Sequence, residues 1–249
     1  MRIIKQGILF AAIYGLSVAA FAGGGGPVYA TNGEKIITLS VGPAWYATSS
    51  EQTLALQPDV VKTYINDGDP RALTSAELFF ALQCQIARQL YGQLGIAVAY
   101  SGTVHLNGDI LEDNDPNFNN YYYHFNVNHG HVGLKGKLLG DFGYRIQPYL
   151  SASVALSFNH AYGFTITPKI IEEVPAPPFS SETLTTAAFT VGAGGQMAIN
   201  RHWQVGVGYE FAYWGKTQLG PAFGQTINRG IEFTPPMTQQ LQFSLSYTV

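Results

Sequence analysis

LTTAAFTVGAGGQMAINRHWQVGVGYEFAYWGKTQL, residues 184–219, reads as two alternating strands joined by a short polar turn. On the first strand Ala187, Phe189, Val191, Ala193 and Met197 share one face, and Thr186, Ala188, Thr190, Gly192, Gly194 and Gln196 share the other. That is the period of two that a pleated strand imposes. Beyond the turn at Ile199 to Trp203, the residues Val205, Val207, Tyr209, Phe211 and Tyr213 lie opposite Gln204, Gly206, Gly208, Glu210, Ala212, Trp214 and Lys216. Alternation alone does not say which face is the core. Length and chemistry do: each strand runs for roughly ten residues or more, its apolar face ends in aromatics, and its other face mixes glycines with lone charges. This is the pattern of a transmembrane β-barrel with lipid outside and a narrow polar interior.

Composition agrees. Of 249 residues only 12% are charged, while glycine (28) and tyrosine (15) are abundant. A barrel averages apolar and polar positions to near neutrality in this way. The net charge of -3 gives no basic footprint, so no nucleic-acid partner is expected. At the amino terminus Arg2 and Lys5 precede the apolar run Ile8 to Val18, and Ala20-Phe21-Ala22 supplies small residues for cleavage. The expectation is a secretory signal peptide over residues 1–22 and a barrel over 23–249, with 23–34 a glycine-rich lead. Cleavage after Ala30 is the alternative. Cys84, the single cysteine, falls in the outward series Leu78, Phe80, Leu82, Cys84, Ile86, and is read as a small lipid-facing side chain.

Taken in order, the other strands are expected at about 36–47, 75–86, 92–106, 121–138, 144–158 and 238–249. Between them lie long loops over 48–74, 109–120, 163–181 and 220–236, the first holding a short helix near Pro58 to Ile65. The strand after Tyr121 has a defect: Tyr123, Phe125 and Val127 have one parity, and Val132, Leu134 and Leu138 the other. A β-bulge near Asn128 to Gly130 would restore one lipid face. The count is eight strands with four long and three short connections in alternation. The predicted fold is therefore all-β, an eight-stranded antiparallel up-and-down transmembrane barrel with four extracellular loops and three periplasmic turns. A girdle of Trp45, Tyr123, Trp203, Tyr209, Phe211, Tyr213, Phe243 and Tyr247 is expected at the membrane boundaries.

The signal peptide, the hairpin NRHWQVGVGYEFAYWGKTQLG and the closing strand LQFSLSYTV resemble the small outer-membrane β-barrel proteins of Gram-negative bacteria, the OmpA/OmpX-like group. The resemblance covers nearly the whole mature chain and lies in pattern rather than in a discrete motif. It implies an outer-membrane location reached by the general secretory route. The implied partners are outer-membrane lipid and lipopolysaccharide, the barrel-assembly machinery, and an extracellular ligand or host surface met by the loops. Members of the group commonly end on an aromatic residue; this chain ends on Val249, with Tyr247 two before it.

Chemistry is expected mainly in the lumen. Glu77, Lys135, Lys137, Arg145, Glu210 and Lys216 are read as inward, forming a charge-paired polar plug, since an unpaired buried charge costs several kcal/mol. A gated ion path through Glu210 is the functional alternative. His105, His124 and His160 come to similar heights near the outer rim and are candidates for a zinc or copper site, although their spacing matches no compact metal motif. His129 and His131 are read as hydrogen-bonding residues. Ser157 and His160 suggest a lipid-modifying enzyme, but three residues apart on a strand they face opposite sides. Gly192-Ala193-Gly194-Gly195 is not followed by a helix and is no phosphate loop. No cofactor is expected. The leading reading is a non-enzymatic surface anchor presenting long loops for envelope integrity or surface interaction. A narrow channel for small or hydrophobic solutes comes second, and the lipid-modifying enzyme third.

Overall fold

A computed structural model of the protein describes residues 33–46, 51–66, 72–171, 177–233 and 237–249. The signal peptide, both cleavage points, most of the glycine-rich lead and the Asp67 to Pro70 turn lie outside them. The strands are β1 (Glu34–Tyr46), β2 (Glu51–Gln57), β3 (Val60–Asn66), β4 (Ala72–Ala87), β5 (Leu90–Glu112), β6 (Asn119–Gly140), β7 (Ile146–Pro168), β8 (Glu182–Ala198), β9 (Trp203–Tyr213), β10 (Thr217–Gln218), β11 (Glu232–Phe233) and β12 (Met237–Thr248).

Eight of these close into a ring. Antiparallel pairing runs β1, β4, β5, β6, β7, β8, β9, β12 and back to β1. The closing seam matches Ile36 with Thr248 at one end and Tyr46 with Thr238 at the other. Closure pairs the edge-strand backbone groups, which lipid could not solvate. Both ends of the described chain lie at the short-turn end of the ring, where Val249 N donates to Lys35 O.

The alternation reads out as expected across the middle of the barrel. Leu39, Phe80, Leu94, Leu134, Val154, Val191, Val207 and Leu245 project outward and are exposed, forming an apolar belt. Ser40, Gln83, Gln93, Lys135, Ser153, Thr190, Glu210 and Gln242 project inward and are buried. This inversion of the soluble pattern, apolar out and polar in, marks the membrane-spanning zone.

Above the belt the structure departs from the sequence reading. β5 and β7 run 23 residues and β6 runs 22, against 13, 11 and 12 for β1, β9 and β12, so one side of the barrel stands well beyond the membrane as a wall. Two expected loops shrink accordingly. The connection after β5 is reduced to a tight turn around Pro116–Phe118, and the third loop begins only after Pro168. The helix expected near Pro58 to Ile65 is instead the β2–β3 hairpin, and β3 adds to the free upper edge of β5, Tyr64 facing Ile110. The reason is local: Val60, Val61, Thr63, Tyr64 and Ile65 favour strand, Pro58-Asp59 forms the turn, and an open edge was available to pair with.

The bulge predicted in β6 is absent. Pairing slips on its neighbours: Gly102 and Thr103 oppose the single Asn128, and Gly163 and Phe164 oppose Phe125. Along β6 the odd residues face inward from Tyr121 to Lys137. The parity defect records a change of environment, not of register. Above the membrane the outside is wet and the inside is dry, so Tyr123, Phe125 and Val127 are buried within the barrel mouth.

Candidate functional site

The lumen is filled in three tiers. In the lowest, Lys135 Nζ lies between two carboxylates, 2.6 Å from Glu77 Oε1 and 2.8 Å from Glu210 Oε2. Gln240 and Gln242 donate to the other oxygen of Glu210, at 2.7 and 3.3 Å. Lys137 Nζ donates to Gln196 Oε1 and sits 3.9 Å over the ring of Tyr149; Gln196 in turn donates to Gln204. Two carboxylates and two ammoniums thus give a formally neutral cluster in which Glu77 Oε1 and both oxygens of Glu210 are met by donors, the condition under which buried charge is tolerable. A cavity of about 20 Å³ beside Glu77, Lys135 and Tyr149 has room for about one water molecule.

Of the expected plug, Glu77, Lys135, Lys137 and Glu210 come together. Arg145 and Lys216 do not. Arg145 is exposed in the turn between β6 and β7. Lys216 lies beyond the end of β9, where Lys216 Nζ pairs with Glu232 at 2.8 Å on the surface. That hydrogen bond and the carboxylate charge raise the lysine above its ordinary value. Strand alternation was extrapolated past the point where β9 ends at Tyr213.

The middle tier was foreseen only as hydrogen-bonding histidines. Asn159 uses its Nδ2 to donate to the carbonyls of Trp214 and Lys216, so its Oδ1 accepts from His129 Nδ1. His129 Nε2 is then the acceptor for His131 Nδ1 at 3.2 Å. The indole of Trp214 stacks on His129 at 3.7 Å between centroids and 4° between planes. Ser157 is buried here, bonded to Thr186 Oγ1 and the Trp214 carbonyl, whereas His160 faces outward and bonds Thr183. The two are not juxtaposed.

The upper tier is apolar and was missed. Tyr64 from β3, Tyr123 and Phe125 from β6, Phe164 from β7 and Phe179 from the third loop pack ring on ring, with centroids 4.9 to 6.4 Å apart. Leu219, just before the fourth loop, and Ile231 within it belong to the same buried cluster. Burial pushes the Tyr64 hydroxyl upward, with the neighbouring Tyr123 adding to it. The signal that could have found this tier was the parity of β6, where the outward positions His124, Asn126 and Asn128 turn polar as the inward ones turn aromatic.

The girdle residues Trp45, Trp203, Phe211, Phe243 and Tyr247 are exposed on the outer face, and Tyr209 and Tyr213 half-exposed. Tyr123 is the exception, since it belongs to the aromatic tier; its neighbour Tyr122 is the outward one. The three rim histidines form no common centre. His105 and His124 stack at 5.9 Å, and His160 lies against Tyr162. Among the described residues no group of three or more His, Cys, Asp or Glu side chains is arranged to hold a metal ion.

What this geometry defines is a small membrane-spanning β-barrel of the outer-membrane type, with short turns at one end and long structured connections at the other. The sequence matches no protein-family model and no curated protein. Solved structures similar to it include Neisserial surface protein A, at 13% identity and a TM-score of 0.46 over 86% of this chain and 96% of that one. OprG from Pseudomonas aeruginosa is similar at 12% and 0.49, over 86% and 97%. The outer membrane protease OmpT from Escherichia coli is similar at 7% and 0.49, over 90% and 100%. Likeness at this level assigns no activity to the chain.

Proposed function

We propose that the protein is a closed, non-enzymatic barrel of the bacterial outer membrane, exported by its amino-terminal leader, which anchors a rigid extracellular crown for envelope integrity or surface interaction. The observation that carries this reading is the filling of the lumen by three successive tiers: charged, imidazole and aromatic. A conducting path would have to cross all three. The separation of Ser157, inside, from His160, outside, speaks against the hydrolase alternative.

The long connections behave as one crown rather than as four independent loops. Thr226 N and Ile227 N donate to Leu56 O, Asn228 Nδ2 to Ala55 O, and Glu232 N to Gln52 Oε1, tying the fourth loop to the β2–β3 hairpin. Arg229 pairs with Glu182 at 3.2 Å. On the fourth loop of this braced surface Phe223 is almost fully exposed, at 91%. Exposed apolar side chains on a rigid support suit contact with a partner surface. Solute flux into liposomes holding the refolded wild-type protein tests the reading. Rates equal to those of empty liposomes are expected, and flux clearly above them would turn the assignment to a channel.

A further inference from the structure

Where the β2–β3 hairpin meets the fourth loop, the crown encloses a small cleft. Gln52 and Tyr64 are cross-strand partners in the hairpin, and Glu232 N donates to Gln52 Oε1 at 2.8 Å, so the two walls of the cleft are fixed to each other. Tyr64 and Tyr123, both buried and edge to face at 5.8 Å, form its deep side. Glu51, which is exposed, and the half-buried Glu232 and Asn66 line it nearer the solvent. The free volume is about 10 Å³, room for one group the size of a water molecule.

Two groups in this cleft are unmatched. The Tyr64 side chain is 3% exposed, yet its hydroxyl meets no hydrogen-bond partner among the described residues. Burial, with Tyr123 beside it, pushes that phenol upward, so it stays neutral and offers its oxygen lone pairs. Glu51 is the second, since among the described residues it meets no cation. The crown's lysines and arginine there are already taken: Lys62 pairs with Glu112, Lys169 with Asp109, Lys216 with Glu232 and Arg229 with Glu182. With Lys216 set against Glu232, the carboxylate of Glu51 leaves the cleft with a net negative charge. A water molecule would satisfy the hydroxyl but leave that charge unmet.

We propose that the cleft binds a primary ammonium group presented from outside the cell, held by Glu51 and the Tyr64 hydroxyl beside the two tyrosine rings. The inference deepens the surface-interaction reading above and rests on it for the outward orientation of the crown. The three donors of an ammonium match the Glu51 carboxylate, the Tyr64 oxygen and the second lone pair of Gln52 Oε1, and the rings favour a cation. Size selects the class. An ammonium head has about the volume of a water molecule, whereas a guanidinium or trimethylammonium head exceeds the free volume. For a divalent metal the donor set is poor, because rings occupy one side and, among the described residues, no third acidic side chain joins Glu51 and Glu232. Such a group reaches the crown as a free alkylamine or as the lysine side chain of a partner protein.

The test follows the backbone amides of the isotopically labelled wild-type protein in phosphatidylcholine nanodiscs by NMR, as n-pentylammonium chloride is added at constant ionic strength. Saturable shifts are expected at Gln52, Tyr64 and Glu232, with a Kd of about 1 mM. Tyr64→Phe, which removes the hydroxyl and keeps the ring, is expected to weaken binding about fivefold, and Glu51→Gln about tenfold, with both variants shown to be folded by heat-modifiable gel mobility. Tetramethylammonium and n-pentanol are expected to leave these amides unmoved. Binding of acetyl-lysine-methylamide, but not of its Nε-acetylated form, identifies a lysine side chain as the source; a response to n-pentylammonium alone identifies a free amine. Equal shifts with n-pentanol or with calcium chloride overturn the ammonium assignment, and unchanged affinity in either variant overturns the site. Absence of any shift overturns the inference and leaves the closed anchor standing, whereas solute flux through the wild-type barrel overturns the anchor and leaves the site.

Discussion

Lys135 is the residue on which the lower lumen depends, because among the described residues it is the one cation in contact with both Glu77 and Glu210. Replacing it with methionine leaves two buried carboxylates with no cation between them. The expected cost is about 3–5 kcal/mol, read as a lower urea midpoint for unfolding from lipid vesicles. Glu77→Gln/Lys135→Met/Glu210→Gln, which removes the ion-paired triad together and leaves Lys137 on Gln196 and Tyr149, is expected to recover most of that loss. Asp109, above the membrane, titrates in the opposite setting. Burial pushes its carboxyl upward, but hydrogen bonds from Lys169 and Asn119 and the lysine charge outweigh it, so the group is held below its ordinary value. A lowered folded value contributes stability that is present above about pH 4 and is lost as pH falls through that value. Amide protection at the top of β5 and β6, taken relative to the intrinsic exchange rate at each pH, is therefore expected to fall below about pH 4, and Asp109→Asn to flatten that dependence.

At the scale of strands, β8 and β9 show why small residues stand opposite one another in the hairpin. A Cβ on Gly208 would fall 2.0 Å from the hydroxyl of Tyr149, and one on Gly194 2.6 Å from the same atom. The glycines make room for a tyrosine that carries Lys137 over its ring. Gly208→Ala is expected to destabilise the barrel by about 1–3 kcal/mol, and Tyr149→Phe to relieve part of that cost in the double variant; additive costs would show that the hydroxyl is not the obstacle. Strand identity was legible wherever the environment was uniform. The outward series Leu78 to Ile86 follows from period two alone, because lipid and lumen act on every residue there. Legibility failed where the surroundings changed along one strand. Period two puts Tyr123 in lipid and Lys216 in the lumen only where the rule for the membrane zone holds, and both lie past its edge. Pairs such as Glu77–Lys135–Glu210 could be expected as a set, since inward charges in a narrow barrel must meet. Of the aromatic tier only Tyr123 and Phe125 are legible, through the parity of β6, because Phe179 and Tyr64 reach it from segments that show no sustained alternation.

For the whole molecule the three tiers act as resistances in series, and series closure makes a distinctive prediction. Opening the lowest tier alone leaves His129 stacked on Trp214 and five aromatic rings across the mouth. Opening the aromatic tier alone leaves the charged cluster in place. Truncating Phe125 and Phe164 to alanine removes two of the rings that touch Tyr123 and Phe179; each truncation costs about 3–5 kcal/mol of packing, but the ring of eight paired strands persists without them. In planar bilayers the wild type, Phe125→Ala/Phe164→Ala and Glu77→Gln/Lys135→Met/Glu210→Gln are each expected to stay silent, and the combination of the two sets with them, because His129 stacked on Trp214 still crosses the lumen. Conductance in the triad variant alone would mean that the upper tiers do not seal, and that the crown is a gate above a single plug. Silence in all four proteins, each confirmed as folded and inserted, is what a barrel built to hold a crown in place requires: a lumen packed along its length, whose charges and rings serve cohesion rather than passage.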